Sequence, residues 1–379
     1  MTNGMRSAVA LYDQLTERHT KFLRADELCR LAAHTDPKLP NEAALAEEAA
    51  RPLNAKKGIE RAQGAFLADV LGNPEAGMHL CHASLLPLPE SRERAAEFEK
   101  SGKLDLGGAS VERLGKAAVV TMQNPRHLNA EDEVTLRPLE TAIDVALLDT
   151  KSEVCVLRGG KVEHPRHAGK RLFGAGINLT HLYQGKIRYL WYILRDLGLV
   201  NKIYRGLAVP NASPEVESRE KMWIGAIEGF AIGGHCQIVL TLDYVLAAEG
   251  AYMTLPARKE GIIPGAANLR LDRFVGARIA RQAVLAELRI ECASPEGKLV
   301  CDEIVSDMDA ALARTIEKLT GSGVVSAAGN RRAFRISEEP LDSFRRYMSV
   351  YAREQAQCHL SPALIANLER NWNAATRRA

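Results

Sequence analysis

The sequence predicts an α/β core with a helical N-terminal extension and a helical C-terminal region. Three observations carry that prediction. Apolar residues recur at helical spacing over the first hundred residues, short β-branched runs alternate with helix-length stretches after them, and helical patterning returns beyond about residue 272.

In chain order, Leu11, Leu15, Phe22, Leu23, Leu28 and Leu31 recur among charges, mostly at spacings of three to five residues, and Leu45, Ala49, Leu53, Phe66, Leu67, Val70 and Leu71 continue the pattern. Pro37, Pro40, the GNPEAG run, Pro87 and Pro89 punctuate it, and Gly107-Gly108 closes it. A boundary is therefore placed near residue 108, giving segments 1–108 and 109–379, with 321–379 mostly helical. Past the boundary, AAVVTM (117–122) and VCVL (154–157) read as strands around a helix-like stretch near 131–148. Strand, helix and strand at that length suggest a right-handed crossover. The unit recurs as Ile224–Ile227, Gly234–Leu242 and Tyr244–Ala247, and Glu303-Ile304-Val305 is a late strand candidate. The polar run from Pro210 to Lys221 reads as a mobile loop.

Composition excludes several classes. At 379 residues, 46% hydrophobic and 26% charged, the chain matches an ordinary globular protein. Lys and Arg total 50 against 47 for Asp and Glu, a formal charge of +3, which offers no field for a nucleic-acid backbone. The seven cysteines show no metal-type spacing, so reduced buried thiols, no metal and a cytoplasmic setting are expected. The N-terminus has no signal-like apolar stretch, and no run approaches the ~20 apolar residues of a spanning helix.

Two glycine-rich turns carry the chemistry: Phe173-Gly174-Ala175-Gly176-Ile177-Asn178-Leu179 and Phe230-Ala231-Ile232-Gly233-Gly234-His235-Cys236-Gln237. Glycine lets a backbone turn tightly and approach a ligand, and amides at a helix start are unpaired. Two such turns could aim two N–H donors at one oxygen, which is what an oxyanion hole requires.

The stretches MQNPRHLNAEDEVTLRPLETAI, VCVLRGG, FGAGINL and the long run from Lys221 to Gly276 resemble, in order, the signature of the crotonase (enoyl-CoA hydratase/isomerase) superfamily. The resemblance runs from about residue 110 to about 310. It implies a ββα spiral core, oxyanion amides at Ile177 and Gly234, and a homo-oligomer built from trimers, of which a hexamer is one form. It also implies that the His164, Arg166 and Lys170 loop lies near the CoA adenine and phosphates, with Ala175, Gly176, Asn178 and Leu179 as further residues that bind the substrate or its CoA.

The departures from the family pattern are informative. Its hydratases deliver water with two glutamates, and those positions hold Gln237 and Ala257 here. Neither side chain can accept a proton from water near neutral pH, so hydration is disfavoured. An apolar pocket of Leu179, Ile262 and Ile263 suits a small apolar reactant such as O2. The GINLTHLYQGKI run, the GGHCQ variant, NRRAF, FRRYM and both helical extensions resemble the cofactor-independent, arylacetyl-CoA-oxidising branch of glycopeptide antibiotic biosynthesis. That resemblance implies a 3,5-dihydroxyphenylacetyl-CoA substrate and no metal or flavin. The enolate on the two amides would reduce O2, and the peroxide would collapse onto the thioester and expel CoA. A thioester hydrolase or decarboxylase that ignores O2, and a noncatalytic acyl-CoA- or RNA-binding member, are the alternatives.

Single residues admit bland readings as well. Glu131 could orient a phenol or assist proton transfer, or simply favour a helix start. Gln237 could meet the enolate, the peroxide or a substrate group, or be a satisfied polar residue. Arg195 could pair with a phenolate, although an arginine inside YLWYILRDLGLV reads first as a surface or interface residue. His235 reads as a packed helix-start histidine. Arg331, Arg332, Arg335, Arg345 and Arg346 read first as a solvated face, with a CoA phosphate or subunit contact as the alternative.

Overall fold

A computed structural model describes residues 7–374. Its centre is a seven-stranded sheet whose spatial order follows the chain: Lys103–Asp105, Ala109–Leu114, Ala117–Met122, Val154–Gly159, Met222–Ile227, Tyr244–Ala248 and Glu303–Val305. The first three strands are antiparallel, and every later pairing is parallel. Parallel strands are covered on both faces, which is why Val154–Gly159 is buried at every position and its first four residues, VCVL, read as a continuous apolar run.

The first crossover is the helix Glu133–Leu148. Asp132 starts it with a capping box, its carboxylate accepting the Val134 and Thr135 N–H groups while Thr135 Oγ1 accepts the Asp132 N–H. Leu136, Leu139, Ile143, Ala146 and Leu147 are its buried face, as the periodicity predicts.

A smaller sheet positions the glycine turns. Phe230–Ile232 lies parallel to Tyr252–Thr254, and Gly174 bridges to Ala231 from the other side. Both turns thus emerge from one scrap of sheet.

The helical extensions form a common layer. Arg61–Gly72 lies against Leu341–His359 so closely that a Cβ on Gly64 would stand 2.5 Å from Ala356 Cβ. Leu341–His359 also supports the Ile262–Gly265 loop: Gln355 Oε1 accepts the Ile263 N–H at 2.9 Å, and the Tyr347 hydroxyl donates to the Gly265 carbonyl.

Three expectations need correction. The run from Pro210 to Lys221 is anchored rather than free, because Lys221 Nζ donates to the Ala146 and Asp149 carbonyls and Glu215 accepts the Leu341 N–H. The late arginines are a solvated face only in part: Arg346 is exposed and Arg332 half-buried. Arg331, Arg335 and Arg345 are buried, the first two on Glu220 and the Tyr204 carbonyl, the third on Asp342 and the Leu71 carbonyl. The region after residue 272 also contains the strand Ile290–Glu291 in the smaller sheet. All seven cysteines are unpaired, and no described helix is long and apolar enough to cross a membrane.

Glu339 ties the C-terminal helices to the core. It is buried and accepts from Arg270 (2.9 Å), Arg205 (3.0 Å) and Arg273 (3.0 Å). Burial alone would raise its pKa, but the three guanidinium groups hold it at about 2. A carboxylate held below its unfolded pKa stabilises the fold above about pH 4.5, and that contribution fades as pH falls toward 2. We expect Glu339→Gln to cost about 3–5 kcal/mol at pH 7 and to shallow the acid limb of stability, read by urea unfolding between pH 7 and pH 3.

Candidate active site

The site is assembled on the two glycine turns. Glu131 forms a parallel bridge with Ile177, its N–H donating to the Gly176 carbonyl (2.7 Å) and its carbonyl accepting the Asn178 N–H (2.8 Å). Successive backbone groups of an extended segment point to opposite sides, so this bridge turns the Ile177 N–H away from Glu131. Gly176 has φ +78° and lies so close to the second turn that a Cβ there would stand 2.9 Å from the Ile232 carbonyl oxygen. Among the described residues neither the Ile177 N–H nor the Gly234 N–H finds an acceptor. Both residues line one narrow inner pocket of about 30 Å³.

His235 joins the turns. Its Nδ1 accepts the Gly176 N–H at 3.0 Å, and a side chain on Gly174 would overlap its ring. Burial pushes His235 down to about 4, so the ring is neutral, with the proton on Nε2. This places His235 as a packed helix-start residue.

A buried polar network lies behind Gly234. Arg195 grips Glu131 bidentately (Nε to Oε1 2.9 Å, Nη2 to Oε2 2.7 Å) and donates from Nη2 to the Gly234 carbonyl at 2.8 Å. Its Nη1 donates to Gln237 Oε1, and Gln237 Nε2 donates to Asp196. Arg195 is 3% exposed, which overturns its reading as a surface or interface residue. Both ends of the Gln237 amide, and both oxygens of Glu131, are engaged by protein partners.

Sequence-predicted residues fall into two groups. Ile177, Gly234, Gln237, Arg195, Ile262 and Ile263 meet at the inner pocket with Trp191, Tyr192, Asp196, Glu260 and Tyr351. His164, Ala175, Asn178 and Leu179 instead line a neighbouring cleft of about 570 Å³ with Arg126 and His127, and Ile177 belongs to both cavities. Leu179 therefore does not share a pocket with Ile262 and Ile263. Asn178 is occupied in local structure, its Oδ1 accepting the His181 N–H and its Nδ2 donating to Asp132. Arg166 and Lys170 are exposed on their loop.

Glu260 was missed. It ends the short helix Ala257–Glu260 and faces the inner pocket, and its carboxyl has no hydrogen-bond or ion-pair partner among the described residues. Burial without a cation pushes its carboxyl up to about 8. Its sequence setting, ARKEG, offers no local cue, because a Glu beside Arg and Lys reads as a solvated charge.

Set beside known proteins, this geometry has a clear lineage. The enoyl-CoA hydratase/isomerase family profile matches residues 112–321, more than half of the chain. The chain belongs to the enoyl-CoA hydratase/isomerase family. It is 44% identical over 353 residues to the (3,5-dihydroxyphenyl)acetyl-CoA 1,2-dioxygenase of Amycolatopsis orientalis, covering 92% of this chain and 80% of that protein. It is 30% identical to the short-chain-enoyl-CoA hydratase of Clostridium acetobutylicum, over 50% of this chain and 65% of that one. Among solved structures, an enoyl-CoA hydratase/isomerase from Xanthobacter autotrophicus Py2 superposes with a TM-score of 0.58 at 20% identity, over 72% of this chain and 96% of that chain. That likeness shows the crotonase fold. Among the described residues no three His, Cys, Asp or Glu side chains gather as metal ligands.

Proposed function

We propose that the protein is a dioxygenase that converts (3,5-dihydroxyphenyl)acetyl-CoA and O2 into 3,5-dihydroxyphenylglyoxylate and CoA, with no resident metal or flavin. The observation that carries this reading is the reach of the similarity. The relative named as the dioxygenase matches over 92% of the chain, helical extensions included, whereas the hydratase of Clostridium acetobutylicum matches over half. The site supports it, since Gln237 and Ala257 stand where hydratases of this family carry water-activating glutamates.

In this scheme the thioester oxygen accepts the Ile177 and Gly234 N–H groups, which acidifies the benzylic α-carbon. A preorganised donor of this kind is worth roughly 3–4 kcal/mol. The enolate reduces O2 to a carbon-bound peroxide, which attacks the thioester carbonyl and expels CoA; the O–O bond then breaks as the remaining α C–H bond gives up its proton, leaving the ketone and the carboxylate. The α-carbon goes from CH2 to C=O and supplies all four electrons. One oxygen atom of O2 ends in the ketone and one in the carboxylate, and the two α-hydrogens end on the carboxyl group and the thiol.

The inner pocket has room for a molecule the size of water or O2 beside both amides, so an aryl ring enters by displacing lining side chains. The 570 Å³ cleft that shares Ile177 suits the CoA arm, with Arg126, His127 and His164 as polar contacts. We also infer a homo-oligomer of trimers in the cytoplasm, supported by the exposed apolar Val325, Phe334 and Ile336. Sedimentation should give a multiple of three chains, and a monomer would remove that inference.

Anaerobic mixing with (3,5-dihydroxyphenyl)acetyl-CoA should release no CoA, and admitting O2 should consume one O2 per CoA released, with or without a chelator. CoA release in the absence of O2 would favour a hydrolase, and loss of activity to the chelator would refute the metal-free scheme.

A further inference from the structure

Proton removal from the α-carbon needs a base, and the residues considered from sequence are otherwise occupied. Glu131 is held at both oxygens by Arg195. Gln237 is an amide whose oxygen already accepts from Arg195. His235 is neutral, but its one free lone pair, on Nδ1, is taken by the Gly176 N–H. Asp196 accepts from Gln237 and lies 3.6 Å from Arg195 Nη1. The Tyr192 hydroxyl is 3.3 Å from His359 Nδ1.

One carboxyl in the inner pocket remains unengaged. Glu260 is 9% exposed, yet no described side chain or backbone N–H binds its oxygens. Its Oε2 stands 3.8 Å from the point a Cβ on Gly233 would occupy, one residue before the Gly234 amide. It therefore looks across the pocket at the turn that would hold the thioester oxygen. The family's glutamate after the proline is Ala257 here, so Glu260, three residues on, is a different group. An unpaired buried carboxylate costs stability and contributes no structural contact, a combination typical of functional groups.

We infer that Glu260 is the base that takes the α-proton from a thioester whose oxygen rests on the Ile177 and Gly234 amides. This rests on the function proposed above and names the group that performs its first step. The α C–H bond breaks, a carboxyl O–H bond forms, and the electron pair delocalises onto the thioester oxygen. When the C–S bond breaks later, the same proton passes to the CoA sulfur and Glu260 returns to carboxylate. The apolar neighbours Trp191, Ile262 and Ile263 keep the carboxylate poorly solvated, which strengthens it as a base.

The groups facing Glu260 from other elements are Tyr192, Arg195, Asp196, Gln237 and Tyr351. The Arg195 charge is taken up by Glu131 and Asp196, which leaves burial to set the titration of Glu260. A carboxyl lifted to about 8 is mostly protonated at pH 7, so the active fraction grows as pH rises through 8 and then levels off.

The test follows α-proton loss into D2O without O2, using both (3,5-dihydroxyphenyl)acetyl-CoA and phenylacetyl-CoA, in wild type, Glu260→Gln and Glu260→Asp. We expect Glu260→Gln to slow washout of both thioesters at least ~100-fold, Glu260→Asp to recover part of it, and the wild-type rate to climb through about pH 8. O2-dependent CoA release by Glu260→Gln should fall by the same factor and lose that pH rise, a readout that return of the proton to carbon cannot mask. Glu260→Gln should unfold at or above the wild-type temperature, because it removes a buried ionisable group. Washout at the wild-type rate in Glu260→Gln overturns the assignment, as does a loss confined to the dihydroxy substrate, which would make Glu260 a hydroxyl-recognition group. If wild type consumes O2 while Glu260→Gln keeps its rate, the base fails and the dioxygenase stands. If washout depends on Glu260 but no O2 is consumed, the dioxygenase fails and the base stands.

Discussion

Arg195→Met should be the most damaging single change at the site, destabilising the protein by about 3–5 kcal/mol and abolishing turnover. The arginine is 3% exposed and serves four partners, so its loss leaves Glu131 and Asp196 buried without a counter-charge. The Gln237 oxygen and the Gly234 carbonyl also lose their donor. Arg195→Lys keeps the charge but lacks the planar fork, so it should be intermediate in stability and still poor in activity. Urea midpoints and kcat of the three proteins check this. A methionine variant within about 1 kcal/mol of wild type would mean that the network does not hold the turn.

Gly234→Ala should lower kcat by about 10²–10³-fold, with a smaller change in KM and a modest loss of stability. A Cβ at 234 would stand 2.8 Å from Glu131 Oε2 and 2.9 Å from Arg195 Nη2. Those two groups hold each other and cannot retreat cheaply, so the turn carrying the N–H must move. Gly329→Ala is the control, since nothing lies within 4 Å of a Cβ there. Its steady-state constants should match wild type, and a Gly234→Ala enzyme with unchanged kcat would detach the amide from catalysis.

Much of this was legible in the sequence because the cues were local. The β-branched run at 117–122 is the strand Ala117–Met122, and the apolar stripe from Leu136 to Leu147 is the buried face of the following helix. The glycine turns announced themselves because few residues but glycine tolerate a φ of +78° against another backbone. The rest depended on long-range partners. Arg195 looked like a surface charge because Glu131 and Gln237 lie 64 and 42 residues away. Arg331 and Arg335 looked solvated because Glu220 is more than 100 residues earlier. Glu260 was invisible for the opposite reason: what distinguishes it is the lack of a partner in a buried place, and spacing carries no trace of that.

The central claim is that the Ile177 and Gly234 amides meet on a single oxygen. A crystal structure of the enzyme with a non-oxidisable arylacetyl-CoA isostere tests it most directly. The carbonyl oxygen should lie about 2.7–3.1 Å from both nitrogens, with its α-carbon facing Glu260. An oxygen bound to one amide alone, or directed into the cleft toward His164, would contradict it.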